Sequence, residues 1–393
     1  MLNGTDATAL ATIHNFLDEI SYSHLNHRLV PNYENGIFFP AFPVAQKIYQ
    51  DLNPLNKFVF SVFRQGHAAE ECHMRQYLPS TVFEAIVATG LLGQNRRGHW
   101  DTRGISLIPL HGLYLAVSLP PAYPTAKNKK QPVYIGPDSL WLTHAIPARL
   151  SGMRVLDMCA GSGIQGLLCA TRGAESVVAL EYAEEAVSIA RFNVSLNQFD
   201  GIVEVRQSDL YSALNESEKF DFFVCNPPFM PVMEDVDYPI CGTGGHDGTT
   251  LLRRIFTDLP LHLREGATGL LFCLALGGPE HIQFNRSFLS DLASSQGLQC
   301  RAHITSVASL QEYVDSALRP NLIATCPELP ARDLEARIDK WMDAIAALDG
   351  DGDLLYEQMI FICKKSPGKL EDVLAFNRNL CDSLFRQIAE AIV

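Results

Sequence analysis

The 393-residue sequence has little of what would mark a membrane or secreted protein. No apolar run approaches the roughly 20 residues that a membrane-spanning helix requires, so we expect no membrane segment. The first 20 residues show no basic start followed by a long apolar stretch, so no secretory signal is expected. These absences predict a cytoplasmic protein.

The sequence also lacks an excess of positive charge, because its formal net charge is −13. A protein that grips phosphate backbones usually presents a basic surface, and the acidic balance therefore disfavours nucleic acid as the partner. Two local basic clusters, at Arg96-Arg97 and at residues 127–130, fall in segments that read as solvated loops.

Paired cysteines are absent as well. The ten cysteines are scattered without a C-x-x-C pair, which is typical of reduced thiols rather than of disulfides. The pair His24 and His27, and the group of His67, Cys72 and His73, lack a second half at zinc-site spacing, so we predict no metal site.

What is present from about Val133 onward is an alternation of strand-like and helix-like segments, with seven strands in all. Such alternation predicts an α/β fold, a Rossmann-like parallel sheet covered by helices. Residues 120–132 read as a linker rich in proline and lysine. We therefore place a smaller α+β N-terminal domain at residues 1–132 and the sheet domain at residues 133–393. The sequence leaves the oligomeric state open.

The N-terminal region carries weaker signals. Apolar periodicity predicts one helix over residues 6–25 and another over residues 79–92, the second ended by Gly93 as a C-cap. Residues 104–121 alternate loosely and predict an antiparallel hairpin.

A glycine turn with the pattern Asp157-x-x-x-Gly161-x-Gly163-x-x-Gly166 follows a predicted strand and opens a predicted helix. Glycine lets the backbone approach a ligand, and the helix start offers free N–H groups. Glu181 ends the next strand, where a carboxylate can accept from ribose hydroxyls. The pattern is shared by NAD sites and S-adenosylmethionine sites. The carboxylate of Asp157, expected to point into the site, would repel a pyrophosphate and accept a cationic amino acid, which favours S-adenosylmethionine.

A second unusual stretch is Asn226-Pro227-Pro228-Phe229, directly after the apolar strand FDFFVC. Two prolines fix φ and remove two backbone donors, so the strand ends abruptly in a rigid loop that carries one amide and one aromatic ring. In a doubly wound sheet this loop is expected beside the glycine turn.

These motifs resemble those of class I S-adenosylmethionine-dependent methyltransferases of the HemK-like, small-methyltransferase group. The resemblance covers residues 134–365 and rests on VLDMCAGSGIQG, ALEY, QSDLY, CNPPF and GTGGHDGTTLLRRI. It implies S-adenosylmethionine as the cofactor. It also implies cofactor-binding roles for a set of residues that comprises Asp157, Gly161, Gly163, Glu181, Tyr182, Asp209, Leu210 and Asn226.

The same resemblance implies catalytic roles for Asn226, Pro227 and Phe229. In this family the asparagine amide and the following carbonyl accept hydrogen bonds from a target NH₂ group, and the aromatic ring stacks on a flat substrate. We therefore expect methyl transfer to a planar nitrogen of a small molecule, a peptide or a protein glutamine. Two alternatives stay open: cyclisation of S-adenosylmethionine to azetidine-2-carboxylate with release of methylthioadenosine, and a non-catalytic binding module.

The N-terminal region has one further feature, a stretch crowded with aromatic residues and prolines. Its aromatic residues are Tyr22, Tyr33, Phe38, Phe39 and Phe42. Core packing of the small domain is one interpretation, and a lid that closes over a cationic sulfonium is the other. If the lid interpretation is right, a protein without residues 1–45 should fold, bind cofactor weakly and turn over poorly.

Overall fold

The computed structural model describes the chain with gaps. The described residues are 2–30, 45–119, 133–233, 236, 238–246, 248–277, 294–295, 297–325, 329–346 and 355–365. The linker at residues 120–132 and four of the five lid aromatics (Tyr33, Phe38, Phe39 and Phe42) lie outside them, so those expectations remain predictions.

Short helices and two small hairpins make up the described N-terminal region. In chain order they are α1 Ala7–Glu19, α2 Tyr22–Leu29, α3 Gln46–Gln50, α4 Pro54–Val59 with a π-helical turn Phe60–Arg64, α5 Glu71–Tyr77, α6 Ser80–Ala88, β1 Gly93–Gln94, β2 Trp100–Asp101, β3 Ile105–Leu110 and β4 Leu113–Ser118. The antiparallel hairpin predicted for residues 104–121 is confirmed as the β3–β4 pair.

Two helix predictions in this region were wrong at their ends. The single helix predicted over residues 6–25 is two helices, because Ser21 adopts a left-handed φ of 53° and breaks the chain direction. The helix predicted over residues 79–92 ends at Ala88 instead, and the left-handed glycine behind it is Gly90, with φ of 71°. Gly93 begins strand β1 and is not a C-cap.

The rest of the described chain builds the α/β unit. Its elements are α7 Pro137–Ala145, β5 Arg154–Met158, α8 Ile164–Thr171, β6 Ser176–Glu181, α9 Glu184–Leu196, β7 Val203–Gln207, β8 Phe220–Cys225, α10 Thr250–Asp258 with a 3₁₀ turn Leu259–His262, β9 Leu263–Gly277, β10 Leu298–Ser309, α11 Leu310–Tyr313 with a π-helical turn Val314–Leu318, α12 Arg319–Thr325, α13 Ala331–Ala346 and β11 Leu355–Lys365. No helix among the described residues is long and apolar enough to cross a membrane.

Seven strands form one sheet in the order β7-β6-β5-β8-β9-β11-β10, which confirms the predicted Rossmann-like α/β fold. Strands β5 to β9 pair in parallel. Strand β11 runs antiparallel to both of its neighbours, so the sheet is mixed at this side rather than parallel throughout. The order reverses between β5 and β8, and ligands of doubly wound sheets bind at such a switch point.

Both faces of the sheet are buried, and the alternation of side chains assigns each residue to a face. Val155, Phe222 and Val224 belong to a large cluster that extends through α8 and α9 into the N-terminal helices. Leu156 and Phe223 belong to a second cluster, covered by α10. Burial on both faces explains why β5 and β8 read as almost continuous apolar runs.

Asparagines on α9 join the N-terminal hairpin to the sheet domain. The Asn193 side chain accepts from the N–H of Ala116 at 2.6 Å and donates to the carbonyl of the same residue at 3.0 Å. Asn197 makes the equivalent pair of bonds to Tyr114 at 2.9 and 2.7 Å. The two amides thus satisfy backbone groups of β4 that would otherwise be an unpaired strand edge.

Candidate functional site

A cavity of about 410 Å³ lies at the carboxyl ends of β5, β6 and β8, at the switch point of the sheet. Its walls come from the glycine turn, from the ends of β6 and β8 and from the start of α7. The residues that line it include Tyr134, Asp138, Ser139, Cys159, Gly161, Glu181, Tyr182, Asp209, Leu210, Asn226, Pro227, Phe229, Met230, Cys241 and Arg254. Most residues predicted from the sequence as site residues therefore meet in one place.

The glycine turn connects β5 to α8 through backbone conformations that favour glycine. Gly161 has φ of 54° and Gly163 has φ of 79°. Gly161 lines the cavity, whereas Gly163 packs toward Ala190 of α9 and lies behind the described cavity wall. The left-handed turn brings backbone, rather than side chains, to the cavity surface.

Asp157 differs from expectation in where its carboxylate points. Its Oδ2 accepts from the N–H of Gly166 at 2.8 Å, beneath the first turn of α8, and the residue is 1% exposed. It is not among the described residues that line the cavity. The pKa of Asp157 is raised to about 7, chiefly by burial and to a smaller extent by the nearby Glu181, while the hydrogen bond from Gly166 opposes the shift. Its structural role is to fix the glycine turn to the helix, and direct contact with a cofactor remains a prediction.

Glu181 ends β6 and faces the cavity, as predicted. One carboxylate oxygen accepts from the N–H of Gly161 at 2.8 Å, and the other accepts from the N–H of Ala183 at 2.9 Å. Burial raises the pKa of Glu181, and these backbone bonds oppose the shift. Each carboxylate oxygen keeps lone pairs in addition to the one it uses, so the side chain can accept from two neighbouring hydroxyl groups. That acceptor set fits a ribose.

Three further residues that were predicted to bind the cofactor, Tyr182, Asp209 and Leu210, also line the cavity. Tyr182 is exposed, and Leu210 adopts a left-handed φ of 49°. Asp209 pairs with Arg254, whose guanidinium lies 3.0 and 3.1 Å from its two carboxylate oxygens. Because this ion pair is solvent exposed, it orients Asp209 more than it stabilises the fold.

Asn226 directly follows the last residue of β8, Cys225, and is one of the residues that line the cavity. Its Nδ2 donates to Oδ2 of Asp138 at 2.6 Å and to the hydroxyl of Ser139 at 3.1 Å. Its Oδ1 is buried and has no hydrogen-bond partner within the described parts of the chain. A buried acceptor without a partner costs free energy, which makes this oxygen a candidate acceptor for a ligand's N–H or O–H group.

The Pro-Pro-Phe segment is braced by the glycine-rich stretch that follows it. The N–H of Met230 donates to Gly242, and the N–H of Gly244 donates back to Met230, at 2.7 and 2.8 Å. A Cβ at Gly244 would lie 2.7 Å from the carbonyl carbon of Phe229, so only glycine allows this approach. The ring of Phe229 packs on Phe272 with a 5.0 Å centroid distance and also faces the cavity.

Sequence reasoning missed Asp138 and Ser139, which lie at the start of α7 and line the cavity. Their one visible signal was the Gly136-Pro137-Asp138-Ser139 helix start, which carries no motif by itself.

The sequence also left the role of Tyr22 open. Its ring is fully buried and its hydroxyl donates to the carbonyl of Leu107 at 2.9 Å, so Tyr22 packs in the core and does not face the cavity.

A possible metal-ligand group differs from those considered in the sequence. Glu70, Cys72 and His73 bring three ligand atoms within 4.8 Å of one another on the exposed start of α5. His67, by contrast, is paired with the hydroxyl of Ser61. The exposed trio lies on the N-terminal region and none of its members lines the cavity.

Part of the chain is similar to known proteins. Residues 135–240 match the family model described as the methyltransferase small domain. A protein from Methanocaldococcus jannaschii, provisionally named a protein N5-glutamine methyltransferase, is 32% identical over 128 residues, which are 32% of this chain and 63% of that protein.

Two further relatives are similar. The ribosomal protein uL3 glutamine methyltransferase of Bradyrhizobium diazoefficiens is 31% identical over 119 residues, covering 28% of this chain and 37% of the relative. The tRNA1(Val) (adenine(37)-N6)-methyltransferase of Bacteroides fragilis is 35% identical over 107 residues, covering 27% and 45%.

The chain spans less than two thirds of the length of each of these relatives. The family model covers the residues of the glycine turn and Asn226, and the resemblance predicted from the motifs is thereby confirmed. Residues 135–240 are therefore similar to the methyltransferase small domain of the class I S-adenosylmethionine-dependent methyltransferases, a family whose cofactor is S-adenosylmethionine.

Proposed function

We propose that this protein transfers a methyl group to a planar nitrogen that carries at least one hydrogen, with a protein glutamine amide as the preferred acceptor. The observation that carries the proposal is the Oδ1 atom of Asn226, which is buried at the cavity wall without a partner in the described structure. Since both hydrogens of Nδ2 are engaged by Asp138 and Ser139, the amide offers the cavity an acceptor only. A group that donates N–H fits that position.

The role of Asn226 follows from this geometry. An N–H group of the substrate that receives the methyl group would donate to Oδ1 of Asn226. This hydrogen bond draws electron density onto the substrate nitrogen and orients its lone pair. Pro227 and Pro228 restrict the loop, so the acceptor oxygen is held in place before the substrate arrives. Phe229 supplies a flat apolar surface at the same wall. A strong base is not required, because the nitrogen loses its proton after it has become cationic.

The residues that face the cofactor would bind it and fix its orientation. Glu181 would hold the ribose hydroxyls through the free lone pairs of its two oxygens, while Gly161 gives the backbone close approach. Bound S-adenosylmethionine supplies an electrophilic methyl group on a sulfonium. Tyr182, Asp209 and Leu210 would enclose its adenine, and Asp157 would act from behind by holding the glycine turn on α8.

The choice of acceptor rests on the charges of the cavity. Its ionisable lining residues include three acids, Asp138, Glu181 and Asp209, and one base, Arg254, which is already paired with Asp209. A mostly acidic wall would repel the phosphates beside an RNA base. It therefore suits a neutral amide better. Two of the relatives are named as glutamine methyltransferases and one as an RNA adenine methyltransferase, so a small-molecule acceptor has no support from them. RNA adenine is the second candidate.

These relatives are named as methyltransferases, and nothing in their names supports cyclisation of S-adenosylmethionine. The products separate the two reactions. Incubation with the cofactor alone gives methylthioadenosine if the protein cyclises it, whereas an added acceptor gives S-adenosylhomocysteine if the protein transfers methyl.

The test uses S-adenosylmethionine with a labelled methyl group and two acceptor probes, a mixture of glutamine-containing peptides and adenine-containing RNA. We expect label in the peptides, and we expect Asn226→Ala to lower the rate by more than about 10²-fold because it removes the acceptor oxygen. Asn215→Ala, at an exposed asparagine away from the cavity, is the matched control. Unchanged turnover in Asn226→Ala would refute the role given to this amide.

A further inference from the structure

A side-chain amide can present either its oxygen or its nitrogen to the same position, because a half-turn about its last bond exchanges the two. At Asn226 the surroundings decide the orientation. Asp138 lies 2.6 Å from Nδ2, and the hydroxyl of Ser139 lies 3.1 Å from it. If the amide turned over, its oxygen would face the carboxylate of Asp138 at that short distance, which is repulsive while the carboxylate is ionised.

The position of Asp138 is itself fixed by its local sequence. Helix α7 begins at Pro137 and places Asp138 in its first turn, where a carboxylate interacts favourably with the helix dipole. A Cβ built on Gly136 would lie 2.3 Å from Oδ1 of Asp138, so the carboxylate occupies space that only a glycine leaves open. Gly136 therefore lets Asp138 fold back toward Asn226.

We propose that Asp138 is a positioning residue that locks the amide of Asn226 with its oxygen toward the acceptor nitrogen. The inference rests on the proposed function, because it assigns a task to a residue that acts through Asn226. A carboxylate that accepts from Nδ2 also polarises the amide and makes Oδ1 a stronger acceptor. Ser139 supports the same orientation by taking the second hydrogen of Nδ2.

A positioning role and a purely structural role predict opposite effects on stability. Burial raises the pKa of Asp138 in the folded protein, so its ionised form costs folding free energy once the pH is above the unfolded pKa. Replacement by a neutral residue of the same shape removes that cost. Asp138→Asn should therefore be at least as stable as the wild-type protein at pH 8, although the substituted amide no longer dictates which way the amide of Asn226 turns.

The experiment measures three quantities for Asp138→Asn, Asp138→Ala and Gly136→Ala: kcat with the peptide probe, the Kd of S-adenosylmethionine by calorimetry, and the melting temperature at pH 8. We expect kcat to fall about 10- to 100-fold in each variant, since each weakens or displaces a charge-assisted hydrogen bond. The Kd of S-adenosylmethionine should stay within about threefold, and Asp138→Asn should not melt earlier than wild type. Asp51→Asn, on an exposed turn, is the control.

Each other outcome overturns the inference in a recognisable way. A wild-type kcat in both Asp138 variants means that Asn226 needs no positioning, while methyl transfer by the wild type still supports the proposed function. A loss of kcat accompanied by an earlier melting transition in Asp138→Asn means a structural role. If the wild-type protein methylates neither peptide nor RNA, the proposed function fails, and the inference fails with it.

Discussion

Asp157 makes the stability of this protein depend on pH in a direction opposite to that of most carboxylates. The pKa of this buried residue is raised from 3.8 to about 7, chiefly by burial. An acid whose folded-state pKa lies above its unfolded value is more easily protonated in the folded protein. Its contribution to stability is therefore complete below the unfolded pKa and is lost as the pH rises through the folded pKa.

The magnitude follows from the size of the shift. About three pKa units correspond to about 4 kcal/mol, because each unit is worth about 1.36 kcal/mol. Asp157→Asn keeps an oxygen that can accept from the N–H of Gly166 and carries no charge. The buried amide hydrogens of the new residue change the stability by an amount that does not vary with pH. The informative quantity is therefore the difference between the two proteins as a function of pH.

The assay is urea denaturation of both proteins at intervals from pH 4 to pH 8. Relative to Asp157→Asn, the wild-type protein should lose about 4 kcal/mol of unfolding free energy over this window, with most of the loss between pH 4 and pH 7. Asp51→Asn, at an exposed turn, removes the same formal charge and should track the wild type. A constant difference between wild type and Asp157→Asn across the window would refute the assignment of a protonatable, buried carboxyl at this position.

Two further predictions concern binding and the junction between the N-terminal hairpin and the sheet. Glu181→Gln should weaken S-adenosylmethionine binding about 10- to 100-fold in calorimetry, because it replaces charge-assisted acceptors, and the bound cofactor should react at a near-normal rate. Equal affinities would place the ribose elsewhere. Asn193→Ala should lower the unfolding free energy by about 3 kcal/mol in urea titration, because it leaves backbone groups of Ala116 and the carbonyl of Ser162 without their partner. A loss below about 0.5 kcal/mol, the range of an ordinary surface change, would contradict it.

The sheet and the glycine turn could be predicted because their signals are local. Strands β5 and β8 are short apolar runs bounded by polar or glycine residues, and the observed bounds, Arg154–Met158 and Phe220–Cys225, coincide with those runs. Parallel strands place their carboxyl ends at one edge of the sheet. Glu181 and Asn226 follow or end such strands, and both line the cavity at that edge. The position of a residue at a strand end is enough to predict this proximity.

The parts that could not be predicted depend on contacts distant in sequence. Asp138 and Asn226 are 88 positions apart in the chain, and no local sequence pattern predicts the hydrogen bond between them. The hydrogen bond between the Asp157 carboxylate and the N–H of Gly166 was not predicted for a related reason. Its place on β5 gives the face of the sheet, but the bond to Gly166 depends on how closely α8 packs on that face. The reversed direction of β11 is likewise a property of sheet assembly and not of its own apolar run.

The described part of the N-terminal region does not have the structure expected of a lid that can be removed. The side chains of Leu10, Ile13, Phe16 and Leu17 in α1 are buried, and α1 packs against α6 and α9. Burying one such side chain contributes about 1.5–3 kcal/mol, so these four contribute about 6–12 kcal/mol. That is comparable with the whole stability of a typical domain, about 5–15 kcal/mol.

Deletion of residues 1–30 should therefore abolish cooperative folding, and not merely weaken cofactor binding as a lid would require. Circular dichroism and thermal melting of the truncated protein check this. The substitution Thr12→Ala on the same helix is the control, since the Thr12 hydroxyl donates within α1 to the carbonyl of Thr8. A truncated protein that melts cooperatively near the wild-type temperature but turns over slowly would show that α1 is dispensable for the fold. The lid interpretation of the N-terminal region would then stand.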